Sequence, residues 1–189
     1  MRTLAVTENI TVDGVLDGDF YARAGERAGG TDVDDALRAQ REQADTLLLG
    51  RKTFEAFRSY WPHQHDNPSG TTQYLNEVRK VVVSTTLDDS DLGWEHSEVV
   101  RDLAGVRALK EEVGADIVCT GSVSLVHALT DAGLVDEYRL FQYPVVTNDG
   151  RRLFEAAQPA DLRLVESTAF GGGVVLLRYA SASRTTAGE

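Results

Sequence analysis

The sequence predicts an α/β fold: a mostly parallel central sheet between two layers of helices, ending in an antiparallel hairpin. Three observations carry the prediction. Short, β-branched apolar runs alternate with segments of helical spacing through most of the chain, and that alternation implies parallel strands joined by right-handed crossovers. Glycines or hydroxyl residues stand where several strands end. The last third changes character, to two apolar runs separated by Gly171-Gly172-Gly173.

Taken in order, residues 4–7 read as the first strand and 33–44 as the first helix. Strand 46–49 then leads into helix 53–60. The polar stretch 61–70 reads as a loop, and its His63 and His65 have no third ligand at a recognisable spacing, so no metal site is expected. Helix 72–78, strand 80–84, helix 103–113, strand 116–119, helix 122–132 and strand 137–146 follow. Asp102 is placed to cap the helix after it, and Gly114 and Gly133 stand where left-handed C-terminal residues belong. Strands 162–170 and 174–179 form the hairpin, with the three glycines as its turn rather than a phosphate loop, which should lead into a helix. One domain is expected over 1–180, followed by a frayed tail at 181–189.

Composition narrows the partners. A formal net charge of -11 over 189 residues repels nucleic acid and anionic lipid over most of the surface. No run approaches the ~18 apolar residues of a membrane span, and residues 2–6 read as strand rather than signal peptide. A cytoplasmic protein is expected. The single cysteine, Cys119, has no internal partner and reads as a small apolar residue inside a strand.

Three strand ends carry phosphate-friendly chemistry. In Leu47-Leu48-Leu49-Gly50-Arg51-Lys52-Thr53 a buried strand runs through one glycine into a helix that opens with two cations and a hydroxyl, which suits an anion at the helix start. Strand 80–84 ends in Ser84-Thr85-Thr86, and strand 116–119 passes through Thr120-Gly121-Ser122 into the helix beginning near Val123. So extended a row suits a dinucleotide. The G-x-G-x-x-G fingerprint of the usual NAD fold is absent, and Arg51 and Lys52 suit the extra 2′-phosphate of NADP.

In this order the motifs resemble those of the dihydrofolate-reductase-like superfamily, and most of all its branch with the C-terminal reductase domain of bacterial riboflavin biosynthesis. The resemblance extends to Thr11-Val12-Asp13-Gly14, Tyr60-Trp61-Pro62, residues 135–140, Pro144-Val145-Val146 and residues 150–154. It implies a three-layer α-β-α fold of that superfamily and an NADPH site lined by Gly50, Arg51, Lys52, Thr53, Ser84, Thr85, Thr120, Gly121, Ser122 and Val123. Arg51, Lys52 and Ser84 would face the adenosine end. Similar proteins place two glycines at the third motif, and here the first is Thr120.

The resemblance further implies an NADPH-dependent reductase acting on a small heterocyclic substrate, with ribosylaminopyrimidine reduction as the nearest specific reaction. Asp13 is the candidate catalytic residue, orienting substrate or relaying a proton, against the reading of Asp-Gly as an ordinary turn. Asp32, Asp34 and Asp35 open the first helix, where capping and dipole roles are favoured over the substrate contact that folate reductases make there. The zinc-binding H-x-E and C-x-x-C of the partner deaminase domain are absent from the chain. A homodimer is expected, with strand 138–146 as one contributor or else part of the monomer core. The competing reading is a non-catalytic nucleotide-binding or dimeric structural protein of the same fold.

Overall fold

A computed structural model describes residues 1–16, 20, 30–64, 69–155 and 161–182. Along the chain run β1 (Leu4–Thr11), α1 (Thr31–Glu42), β2 (Ala44–Gly50), α2 (Arg51–Tyr60), α3 (Thr71–Glu77), β3 (Arg79–Val83) and β4 (Ser97–Val100). After these come α4 (Leu103–Glu111), β5 (Asp116–Cys119), α5 (Val123–Asp131), β6 (Glu137–Tyr143), β7 (Leu162–Ala169) and β8 (Val175–Ser181). The strands form one sheet in the order β4-β3-β2-β5-β1-β6-β8-β7. All pairs from β4 to β6 are parallel, and β8 runs antiparallel to both β6 and β7.

Both faces of the parallel part are covered, which is why its strands are apolar on both sides. Leu47, Leu49 and Val82 pack with Phe54 of α2 and Leu75 of α3. The alternate residues Leu48 and Val81 join Val6, Ile117 and Cys119 under Val106 and Leu109 of α4 and Val126 and Leu129 of α5. Val33 of α1 packs on Phe141 and Tyr143, and the strand register puts Phe141 on the same side as Leu47. Helices α1, α2 and α3 therefore cover one face, and α4 and α5 the other. This is the three-layer α-β-α arrangement the sequence predicts.

Several boundaries differ from the prediction for physical reasons. β1 continues past Thr7 to Thr11 because its polar residues alternate with Ile10 and still pair along β6. β4 is absent from the sequence prediction because its short, half-exposed run gives little periodic signal. β6 lies between β1 and β8, so its apolar run serves the monomer core. Gly114 is not left-handed, unlike Gly133 at φ 65°. Its lack of a side chain admits the Arg2–Asp45 ion pair, since a Cβ there would lie 2.8 Å from Asp45 Oδ2 and 2.9 Å from Arg2 Cζ. Asp102 caps α4 by accepting the Gly105 N–H at 3.0 Å. The glycine turn is as expected: Phe170 N–H donates to Val174 O, and Gly173, at φ 84°, donates to Phe170 O, both at 2.9 Å. Ser181 still belongs to β8, and residues 183–189 of the expected tail lie outside the described residues.

The amino ends of the parallel strands are fastened by buried cations. Arg2 pairs with Asp45, Lys110 with Asp136, and Arg139 with Asp116 at 2.7 Å. Lys80, fully buried at the start of β3, donates to Leu75 O at 2.8 Å, Val78 O at 2.7 Å and Asn76 O at 3.2 Å, and lies 4.6 Å from the centre of the Trp94 ring. It satisfies the carbonyls at the C-terminus of α3, which ends without a left-handed glycine.

Candidate functional site

β2 and β5 are neighbours, yet the helices that follow them, α2 and α5, pack on opposite faces of the sheet. By this topology the two connections part outside the strands' carboxyl ends, the place where open α/β sheets form their ligand crevice. Two hydrogen bonds tie its walls together. Gly50 N–H donates to Ser122 Oγ at 2.8 Å, and Thr53 Oγ1 donates to Gly121 O at 3.1 Å. Gly121 makes the turn possible at φ 67°, a backbone region costly for residues with a Cβ. The described residues contain no cis peptide bond, so Thr120 and Gly121 are joined in trans.

The helix starts at this crevice are chemically bare. Neither α2 nor α5 has a side-chain cap or an acidic residue in its first turn. By contrast, α4 is capped by Asp102, and α1 carries Asp32 and Asp34 in its first turn. Ser122, at the N-cap of α5, takes its hydrogen bond from Gly50 instead of from its own helix. The positive dipole ends of two helices therefore meet at this edge with no acidic residue in either first turn, an arrangement that favours a bound phosphate.

The remaining expected residues lie along the same edge. Arg51 pairs with Glu55 at 3.0 Å, whereas Lys52 is exposed and forms no ion pair with a described residue. Ser84 is buried one strand further out, at the end of β3. Its Oγ accepts from Thr86 N–H at 3.2 Å and Leu87 N–H at 3.0 Å, so it shapes the turn that presents Thr85 to solvent. Thr120 is half-buried, and Val123, the first residue of α5, is buried. Gly50, Thr53, Gly121 and Ser122 thus meet directly, while Arg51, Lys52, Ser84 and Thr85 extend the row toward the sheet edge.

Asp13 lies at the same carboxyl end of the sheet, one strand beyond β5. It sits in the turn after β1 and accepts from Thr11 Oγ1 at 2.7 Å, Asn148 N–H at 2.9 Å and Thr147 N–H at 3.3 Å, with Arg152 at 3.5 Å. The Thr11 hydroxyl, ahead of the backbone donors, brings its pKa down to about 2. Asp13 is ionised at neutral pH, and the hydrogen bonds its carboxylate accepts anchor the segment after β6. A carboxylate with a depressed pKa stabilises the fold above its unfolded value of 3.8 and loses that contribution as the pH falls through about 2. The stability difference between wild type and Asp13→Asn, followed by urea unfolding, is therefore expected to be full at about pH 5 and to close toward about pH 2. A gap unchanged across that range would mean that Asp13 does not anchor through its charge. Asp32, in the first turn of α1, accepts the Val33 N–H and the Gly171 N–H, both at 2.9 Å, and so joins α1 to the hairpin turn.

Two residues of this end escaped the sequence reading. Arg101, just beyond β4, donates to Ser84 O at 3.2 Å and Leu87 O at 2.6 Å and pairs with Asp89; its only signal was a cation following a strand that itself went unseen. Glu8 lies on the inward face of β1 with Leu4, Val6 and Ile10, is 5% exposed, and accepts the Gly121 N–H at 2.6 Å. Burial pushes its pKa up to about 8, against the opposing hydrogen bond from Gly121. A lone acid at an inward strand position was the available signal. Cys119 is buried, and its thiol is pushed well above the ordinary range first by burial and then by Glu8, in keeping with a structural role.

A family model described as the RibD C-terminal domain matches residues 2–176. The chain belongs to this family. RibD C-terminal domains are a reductase family, as the sequence resemblance implies. YyaP of Bacillus subtilis (strain 168) is 34% identical over 142 residues, covering 72% of this chain and 74% of YyaP. Among solved structures, a putative riboflavin biosynthesis protein from Shewanella sp. PV-4 superposes with a TM-score of 0.75 at 18% identity, covering 95% of this chain and 99% of that one. Dihydrofolate reductase from Enterococcus faecalis, in complex with NADP(H), gives 0.62 at 14% identity, with 96% and 97% covered. These structural likenesses establish the dihydrofolate-reductase-like fold. No helix among the described residues is long and apolar enough to cross a membrane, and no group of three or more described His, Cys, Asp or Glu side chains is placed to hold a metal ion.

Proposed function

We propose that this RibD C-terminal domain protein is an NADPH-dependent reductase that delivers hydride to a C=N or C=O bond of a small heterocyclic substrate. The observation that carries the proposal is the pair of bare helix starts joined across the β2/β5 crevice by the Gly50–Ser122 and Thr53–Gly121 hydrogen bonds. In this reading Gly121 gives the turn its close approach to the diphosphate, and Ser122 and the first turn of α5 receive it through backbone donors. Gly50 lets the chain pass close to it, and Thr53 holds the two walls at a fixed separation. Lys52 and Arg51 meet the 2′-phosphate, and Ser84 and Thr85 line the adenosine end. When bound, NADPH supplies the hydride; the protein's part is to hold and orient the nucleotide and to keep the reacting rings out of bulk water.

The test is titration of the protein with NADPH and NADH, followed by single-turnover oxidation with ribosylaminopyrimidine and dihydrofolate substrates. Preferential NADPH binding with oxidation by one substrate supports the reductase. NADPH bound but never oxidised favours the non-catalytic nucleotide binder, and no binding of either nucleotide removes the cofactor assignment. Because Arg51 shares its charge with Glu55 and Lys52 does not, Lys52→Ala is expected to weaken NADPH by about tenfold, the worth of one charge-assisted hydrogen bond. NADH, lacking the 2′-phosphate, should be unaffected; equal losses for both would place Lys52 elsewhere than at that phosphate.

A further inference from the structure

Glu8 sits on the α5 face of the sheet, directly under the turn that leads into α5, and its Oε1 takes the Gly121 N–H. That N–H belongs to the residue before the Ser122 N-cap, so the acid occupies a donor of the same turn that is bare of every other anion. Among the described residues no cation pairs with Glu8. On β5 its titratable neighbour is Cys119, a buried thiol held neutral; on β6 its register partner is Leu140. On α5 the titratable side chains are His127, engaged with Leu153 O at 2.6 Å, and Asp131 in the last turn. From α2 it is Thr53 that reaches the turn. A charged carboxylate and a charged diphosphate placed on one small, partly buried turn repel each other with little screening.

We propose that Glu8 is the positioning residue of the phosphate-binding turn, holding Gly121 as a neutral acid while an anionic ligand is bound and disfavouring that ligand once it is ionised. The inference rests on the nucleotide reading above. Geometry places the acid on the turn, and burial keeps it protonated to about pH 8. Ligand binding and proton retention at Glu8 are then linked: an anion on the turn raises the acid's proton affinity, and loss of the proton weakens the anion. A neutral Glu8 still accepts the Gly121 N–H through its carbonyl oxygen, so the turn keeps its shape.

The experiment is calorimetric titration of wild type and Glu8→Gln with NADPH between about pH 7 and about pH 9.5, a window above the ~6 of a phosphate monoester, so that the ligand's charge is constant. Lys80 also titrates at about 8, but at the amino end of β3, and it is present in both proteins. The wild-type Kd is expected to rise by up to about tenfold per pH unit above about 8, with proton uptake on binding visible as a dependence of the heat on buffer ionisation enthalpy. Glu8→Gln, which keeps an acceptor for Gly121 but cannot ionise, should bind with a flat profile. Parallel slopes in the two proteins, or a flat wild type, overturn the role assigned to Glu8. If wild type fails to bind NADPH at every pH, the nucleotide reading falls, and the Glu8 carboxyl is then followed by carbon NMR with and without sodium sulfate, whose charge is fixed in this window. An upward shift of its titration with sulfate supports the coupling to an anion on the turn; an unmoved titration overturns it.

Discussion

Lys80→Ala is expected to lower the unfolding free energy by about 3–5 kcal/mol, one of the larger costs available to a single substitution in this chain. The side chain is fully buried, and its ammonium is the donor for Leu75 O, Val78 O and Asn76 O. Removing it strands carbonyls at the end of α3 in a place water does not readily reach, and it empties the space over the Trp94 ring. For a chain of this size the thermal midpoint should fall by roughly 6–20 °C. Lys80→Met refills the space without restoring the donors and should recover part of the loss, which separates packing from hydrogen bonding. Urea unfolding of the three proteins checks the result; a cost below about 1 kcal/mol for Lys80→Ala would mean that the carbonyls find other donors.

Gly121→Val should abolish nucleotide binding, with a loss of at least about 100-fold, or about 2.7 kcal/mol. At φ 67° a β-branched residue is strained, and its Cβ would lie 3.1 Å from Thr53 Cγ2. The turn must rotate away, and with it go both the Thr53–Gly121 O bond and the Gly121 N–H that Glu8 holds. Because Gly121 is exposed and its Cβ would meet only Thr53, the unfolding midpoint should move less than the affinity. Fluorescence titration with NADPH alongside thermal unfolding distinguishes the outcomes. Retained binding by a folded Gly121→Val protein would remove the turn from the ligand site.

The elements legible in the sequence were those whose pattern and punctuation agree. β5 was read to the residue because four residues between polar and glycine-rich flanks leave little choice. α2 and α5 were located within two residues by the strand-glycine-helix transitions. The same transitions exposed Gly50, Thr53, Gly121 and Ser122 as a set, since glycine and hydroxyl residues at strand ends are local signals of close approach. What stayed hidden was whatever depends on partners distant in sequence. Glu8 reads as the polar end of a strand until β5 is laid beside β1, and Gly114 reads as a helix terminator until Arg2 and Asp45 converge on it. Asp13 shows the converse: Asp-Gly was recognised as a turn, but the donors from residues 147 and 148 that occupy its carboxylate arrive from another segment.

The buried cations Arg2, Lys80, Lys110 and Arg139 all work at the amino ends of the parallel strands, while the bare helix starts lie at the carboxyl ends. Anchorage and the proposed nucleotide site are therefore separated by the length of the strands. Substitutions in the connections that follow β2, β3 and β5 can retune what the crevice accepts without drawing on the interactions that keep the chain folded. For protein engineering this makes the chain a tolerant host: libraries confined to the carboxyl-end turns should yield a high fraction of folded variants, and those placed among the amino-end ion pairs a low one.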